Sequence, residues 1–172
     1  VDPEKGFFLN GKSLPLRGVS RHQDRLGNGN ALAELDHFDD YDLIMDVGAN
    51  SVRLAHYQQD DYFYELCDRY GLVVWAEIPF ISRMNKDPKA HENAMEQMKE
   101  LIYQNYNHSS ICFWGISNEI TIAGDIPGLT DNLRELDELV KSIDKTRLTT
   151  MAQVSMLPMD SDHNQITDIL AY

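Results

Sequence analysis

The sequence predicts an α/β protein built on a parallel sheet, on three observations. Short apolar or β-rich runs recur along its 172 residues, amphipathic helical patterns lie between most of them, and polar residues capable of chemistry gather where the runs end. Strands buried on both faces read as continuous apolar runs, and a strand–helix–strand repeat imposes parallel pairing with right-handed crossovers.

The elements follow in order. Gly6-Phe7-Phe8-Leu9 and Ser13-Leu14-Pro15-Leu16 flank Asn10-Gly11-Lys12, and Asn-Gly between apolar runs predicts a β-hairpin. Six strand candidates come next, at 16–20, 51–54, 72–75, 111–116, 148–152 and 166–171. Phe38, Tyr41, Ile44 and Met45 recur at helical spacing after the N-cap candidate Asp36, and Gly48 ends that run. Phe63, Leu66, Cys67 and Tyr70 precede Gly71 in the same way. Ala94, Met98, Leu101, Ile102 and Asn105 mark a longer helix, and Leu133, Leu136, Val140 and Ile143 follow the cap candidate Thr130. Periodicity alone leaves both an open doubly wound sheet and a closed barrel. The first strand runs directly into Val19-Ser20-Arg21-His22-Gln23-Asp24 without a glycine-rich phosphate fingerprint, which argues against a nucleotide site.

Charge narrows the partners. Lys plus Arg total 15 against 28 Asp plus Glu, and a formal charge of −13 repels nucleic-acid phosphates and anionic lipid surfaces, so neither is an expected partner. Cys67 and Cys112 lack metal or redox spacing and read as small buried hydrophobes. No stretch of 18 apolar residues and no signal peptide is visible, and Val1-Asp2-Pro3-Glu4 reads like mid-chain sequence, so the compartment stays open between cytoplasm and periplasm or secretion.

The strand ends hold Arg21, His22 and Asp24 after the first, Arg53 and His56 around the second, Glu77 after the third, and Asn118 and Glu119 after the fourth. In a (β/α)8 barrel all carboxyl ends open onto one face, where distant residues meet around one ligand. Each has a plainer reading. Glu119 fits a helix-start carboxylate, but it follows the apolar Ile111-Cys112-Phe113-Trp114-Gly115-Ile116 run, where an unpaired charge is costly. His22 and His56 taken singly fit structural histidines, and Arg53 fits a buried counter-ion for Glu77 or another carboxylate. Tyr57, Tyr62, Tyr64 and Trp75 read as packing residues.

The blocks Phe8-Leu9-Asn10-Gly11-Lys12, Arg17-Gly18-Val19-Ser20-Arg21-His22-Gln23-Asp24 and Gly48-Ala49-Asn50-Ser51-Val52-Arg53-Leu54-Ala55-His56-Tyr57 resemble glycoside hydrolase family two. Leu66-Cys67-Asp68-Arg69-Tyr70-Gly71-Leu72 and the stretch from His108 through Asn118-Glu119 continue the resemblance in the family's order. It implies the first six strands of a (β/α)8 TIM barrel, with the hairpin ahead of them, and residues 1–172 as the N-terminal portion of one catalytic domain. It also implies retaining hydrolysis of a terminal β-glycoside, with Glu119 as acid/base and a nucleophilic glutamate on a seventh strand beyond Tyr172. Asn118 would bind the sugar 2-hydroxyl, His22, His56 and Asp24 would hold the substrate, and Arg53 would lie beneath the nucleophile with Glu77 in support. β-Galactosides are the expected substrate, from the Arg-His-Gln-Asp and Trp-Ala-Glu-Ile-Pro-Phe blocks, with β-glucuronides as the alternative.

No cofactor is expected. The Glu-x-His that magnesium-dependent β-galactosidases carry after the third strand is replaced by Ala76-Glu77-Ile78-Pro79. The 172 residues alone are expected to lack turnover and to self-associate through open strand edges, and a homo-oligomeric parent stays open. Two readings from other classes remain: a metal-dependent barrel hydrolase using His22, Asp24, His56 and Glu77 as ligands, and a non-catalytic carbohydrate-binding fragment.

Overall fold

The computed structural model describes all 172 residues. The chain enters through a two-stranded antiparallel ribbon, β1 (Phe8–Leu9) and β2 (Lys12–Ser13), turned by Asn10 and Gly11 with φ of 51° and 77°. Two successive left-handed residues are what a tight primed hairpin turn requires, and Asn-Gly supplies them.

Six parallel strands follow: β3 (Gly18–Arg21), β4 (Ser51–Leu54), β5 (Val73–Glu77), β6 (Ile111–Asn118), β7 (Leu148–Ala152) and β8 (Ile169–Ala171). Between them lie α1 (Glu34–Asp46), α2 (Asp61–Tyr70), α3 (Pro88–Asn105) and α4 (Leu129–Ile143), while β7 and β8 are joined by a 3₁₀ turn, Asp162–Gln165. Spatial order is β3-β4-β5-β6-β7-β8, each strand beside the next in sequence. A doubly wound sheet reverses its order part-way; unbroken sequential order belongs to a barrel, and six of its eight strands are present.

The helix-facing side of the sheet carries Val52, Leu54, Val74, Ala76, Trp114, Ile116 and Met151, packed against Phe63, Leu101, Leu133 and Leu136. Each fully buried Leu or Ile here contributes roughly 1.5–3 kcal/mol. The opposite side, the barrel interior, carries Arg53, Trp75, Phe113, Thr150 and Ile169, and the ribbon covers its lower end with Phe7 and Leu14.

Several sequence boundaries move. The first strand begins at Gly18 rather than residue 16, because Leu14, Pro15 and Leu16 belong to the floor beneath the barrel. The third continues to Glu77 and the fourth to Asn118, so these polar residues are the last of their strands. The sixth starts at Ile169, since Asp168 uses its side chain to hold Thr149. Asp36 is not the first cap. It lies inside α1 and accepts from the Ala33 amide at 2.9 Å. Phe38 and Met45 are exposed, while His37, Tyr41 and Ile44 form the buried face, and Tyr70 stacks on Tyr41 from an exposed position. Thr130 lies within α4, whose N-cap is Gly128. Cys67 is buried as expected; Cys112 is half-buried. No helix is long and apolar enough to cross a membrane.

One buried carboxylate closes the α4–β7 corner. Asp144 accepts from Trp114 Nε1 at 3.0 Å, the Thr146 hydroxyl at 2.6 Å and Arg147 Nη1 at 2.8 Å. Burial pushes its carboxyl up, but the hydrogen bonds from Thr146, Arg147 and Trp114 outweigh burial and hold it well below the usual range. Asp68 is lowered in the same way, its burial outweighed by Ser110 and His108. A depressed carboxylate stabilises the fold above its unfolded value, near about 3.9, and that stability is lost as pH falls through the folded value. Urea titrations should therefore show stability level above about pH 5 and declining below about pH 4. Asp144→Ala should cost about 3 kcal/mol at neutral pH and flatten that acid decline; an unchanged acid limb would remove Asp144 from the account.

Candidate active site

The centre of the site is Glu77, at the end of β5 and without solvent exposure. A buried carboxylate must be supplied with donors, and three converge on it. Arg53 Nε reaches Oε2 at 2.8 Å, Arg53 Nη2 reaches Oε1 at 2.9 Å, and His56 Nδ1 lies 2.6 Å from Oε1. The two guanidinium contacts form a bidentate fork on neighbouring strands, where Arg53 sits beside Trp75 in the parallel ladder. Arg53 also donates through Nη2 to Asn118 Oδ1 at 2.7 Å. One cation thus ties the ends of β4, β5 and β6 together.

Asn118 reaches that position through a bulge. Between Gly115 and Asn118 β6 spends three steps where β7 spends two, from Thr150 to Ala152. The extra residue turns Asn118 onto the same face as Gly115, toward Arg53. A second irregularity, at Cys112, turns Phe113 inward below it. The next residue, Glu119, has φ of 46°, a left-handed conformation uncommon for a side chain of this size. Its amide donates to Ala152 O at 2.8 Å, and its half-buried side chain makes no hydrogen bond or ion pair in the chain. Asn118 itself is clamped on its other side, its N–H to Phe80 O at 2.9 Å and its carbonyl accepting from Ser82 N–H at 3.0 Å.

His22 joins the group by packing edge-on against His56, ring centroids 5.1 Å apart. Arg53, His56, Glu77 and Asn118 are therefore bonded together, with His22 beside them and Glu119 next to Asn118. Asp24 is exposed, as His22 is, and makes no hydrogen bond or ion pair within the chain. The four residues of the metal-hydrolase reading do not converge as a ligand set, since Asp24 stands apart and both Glu77 oxygens are occupied. Arg21, at the end of the first barrel strand, is structural, held by Asp40 and His37.

Two residues were not legible as site components. Trp75 lies under the Arg53 guanidinium, 4.6 Å from the ring centroid, rather than in the helix–strand packing. Gly115 gives it room: a Cβ there would fall 2.3 Å from Trp75 Nε1 and 2.5 Å from Glu77 Cβ. A glycine inside an apolar strand is itself the signal of such a close approach.

A family model described as "Glycosyl hydrolases family 2, TIM barrel domain" matches residues 3–171. The chain belongs to that family. It is 47% identical across its whole length to a β-glucuronidase of Bacteroides fragilis, of which it spans 25%. It is 36% identical over 64% of its length to a β-galactosidase of Vibrio vulnificus, spanning 11% of that protein. Among solved structures, an FMN-binding β-glucuronidase of Faecalibacterium prausnitzii L2-6 superposes with a TM-score of 0.96 at 54% identity, over 99% of this chain and 26% of that one.

The buried pair makes a direct prediction. Arg53→Met leaves Glu77 charged and without its fork, and should cost about 3–5 kcal/mol in urea denaturation followed by tryptophan fluorescence. A loss below about 1 kcal/mol would mean that His56 alone satisfies the carboxylate.

Proposed function

We propose that this chain supplies the acid/base half of a retaining β-glucuronidase, with Glu119 as the acid/base. The observation that carries the substrate is the contrast in likeness: 47% identity over the whole chain to a β-glucuronidase against 36% over 64% of it to a β-galactosidase. This displaces the β-galactoside expected from the Arg-His-Gln-Asp and Trp-Ala-Glu-Ile-Pro-Phe blocks. The second block supplies Trp75 and Glu77 to the Arg53–Glu77–Asn118 network, and the first supplies the structural Arg21 and the His22 that packs on His56, so neither block reads the group at C5 directly.

The chemistry follows from the free atoms. Asn118 Oδ1 is committed to Arg53, which leaves its NH₂ to donate to a sugar 2-hydroxyl. His56 spends Nδ1 on Glu77, leaving Nε2 for a second hydroxyl. Arg53 spends Nε and Nη2 on Glu77 and Asn118, and Nη1 is left to hold a seventh-strand carboxylate ionised. That carboxylate attacks the anomeric carbon while Glu119 protonates the departing oxygen, and Glu119 then takes a proton from the water that releases the sugar. The two carboxyls of a retaining pair stand about 5–5.5 Å apart. Asp24, without a partner in the chain, is left free to accept from a further sugar hydroxyl.

Carboxyls and water suffice for that reaction, so the proposal includes no cofactor, and the flavin in the name of the F. prausnitzii enzyme is carried to no residue here. Magnesium is left out on donor chemistry, because the oxygens of Glu77 that would bind it accept from a guanidinium and an imidazole. We extend the proposal to the isolated chain: with β3 and β8 as open edges and no seventh-strand carboxylate, it binds sugar without turnover and associates with itself.

In an enzyme carrying this sequence with its remaining strands, Glu119→Gln should lower turnover by a factor of about 10²–10⁴ on an alkyl β-glucuronide and far less on the nitrophenyl β-glucuronide, whose leaving group needs no proton. Equal losses on both would remove Glu119 from the acid role. The unmodified enzyme should prefer the nitrophenyl glucuronide over the galactoside; the reverse preference would overturn the substrate and leave the mechanism standing.

A further inference from the structure

The β5–α3 connection that clamps Asn118 has a second face. Beside Phe80 and Ile81 it encloses, with the first turns of α3 and the start of α4, a cavity of about 200 Å³. The floor is apolar, with Ile78, Met84 and Ala94. Above it stand Arg83, Asn85, His91, Asn93, Gln97 and Asn132.

The charge of this lining departs from the rest of the chain. The formal charge is −13 over 172 residues, yet no Asp or Glu lines the crevice and one guanidinium does. Arg83, the guanidinium among the crevice residues, is exposed and has no acidic partner, a state it shares with Arg17, Arg69 and Arg134. His91 gives Nε2 to Glu135 at 2.7 Å, while its Nδ1 is buried without a partner. Buried polar atoms are normally satisfied, so an orphaned ring nitrogen in a polar crevice marks a place for a ligand atom. His91 also belongs to the first turn of an 18-residue helix, where the peptide dipoles favour an anion.

We propose that this crevice is a subsite for a uronic acid residue on the leaving-group side of the bond, an inference that rests on Glu119 being the acid/base. Arg83 matches a carboxylate with a planar fork, and the four side-chain amides each offer donors and acceptors suited to ring hydroxyls. Ile78, Met84 and Ala94 give the sugar an apolar face to lie on. Placement beside the cleavage point follows from the backbone: Phe80 O and Ser82 N–H bond Asn118, the neighbour of Glu119, so crevice wall and acid/base move as one unit. A substrate bridging the two would be an acidic oligosaccharide, with its terminal residue over the barrel and the next in the crevice.

The test uses an enzyme carrying this sequence with its remaining strands, isotopically labelled and with Glu119→Gln to stop turnover of the probe, and reads its side-chain amide signals by NMR. Methyl β-D-glucuronoside should shift the signals of Asn93, Gln97 and Asn132, methyl β-D-glucoside should not, and Arg83→Gln should weaken the glucuronoside response at least tenfold. Crevice signals that stay still while the Asn118 amide moves would overturn the subsite and leave the Glu119 reading standing. An equal response to inorganic phosphate, or one unchanged by Arg83→Gln, would also overturn it. Failure of the Glu119 reading is a separate result, seen in the leaving-group comparison of turnover and not in these signals.

Discussion

The structure of this face depends on one constraint: the Glu77 carboxylate is wholly inside the protein and has to be neutralised there. Moving such a charge out of water costs several kcal/mol even after relaxation, and only a well-formed fork with further hydrogen bonds offsets it. Arg53 supplies the fork, His56 the additional bond, and Trp75 a flat surface beneath the guanidinium. Gly115 is required because any side chain would intrude on Trp75 and Glu77. A single ion pair therefore dictates residues on β4, β5 and β6.

The consequence for chemistry is rigidity at Asn118. Its side chain is fixed by Arg53, its backbone by Phe80 and Ser82, and the bulge that aims it inward is set by the register with β7. Glu119 follows directly, in a left-handed conformation that costs of order 1–3 kcal/mol and persists because its neighbours fix it. Strain of that kind is tolerated where a side chain must point somewhere that regular strand geometry would not send it. Here it leaves the carboxyl without a partner in the chain, which suits a group that has to exchange a proton with substrate and water.

Much of this was legible in the sequence. Six short apolar or β-rich runs with amphipathic helical patterns between most of them point to a parallel sheet, and Asn10-Gly11 dictates its turn locally. Arg53 and Glu77 were readable as a counter-ion pair because strand-end charges of opposite sign on adjacent strands have few other places to go. The face of α1 was misread at Phe38 and Met45, since the period of a helix does not reveal that the polar His37 is buried beside Arg21. Asp24 stood at a strand end by sequence count, yet the loop after β3 carries it out to solvent. The bulges of β6 left no local signal beyond Gly115 inside the apolar run: whether a strand spends two steps or three is decided by its neighbours. Sugar preference has no comparable signal, because the most recognisable blocks supply the buried Glu77 and the histidine pair rather than a group selective for one sugar.

The central claim is that Glu119 delivers the proton and later activates the water, with the Arg53–Glu77 scaffold holding its neighbour Asn118 in place. The most direct measurement is azide rescue of Glu119→Gly, a substitution that fits the left-handed backbone at this position. With an activated β-glucuronide, an enzyme carrying this sequence and its remaining strands should stall after the first step and recover turnover with azide, yielding the β-glucuronosyl azide. Recovery giving the α-azide, or no recovery while glucuronic acid still forms at the original rate, would contradict the account.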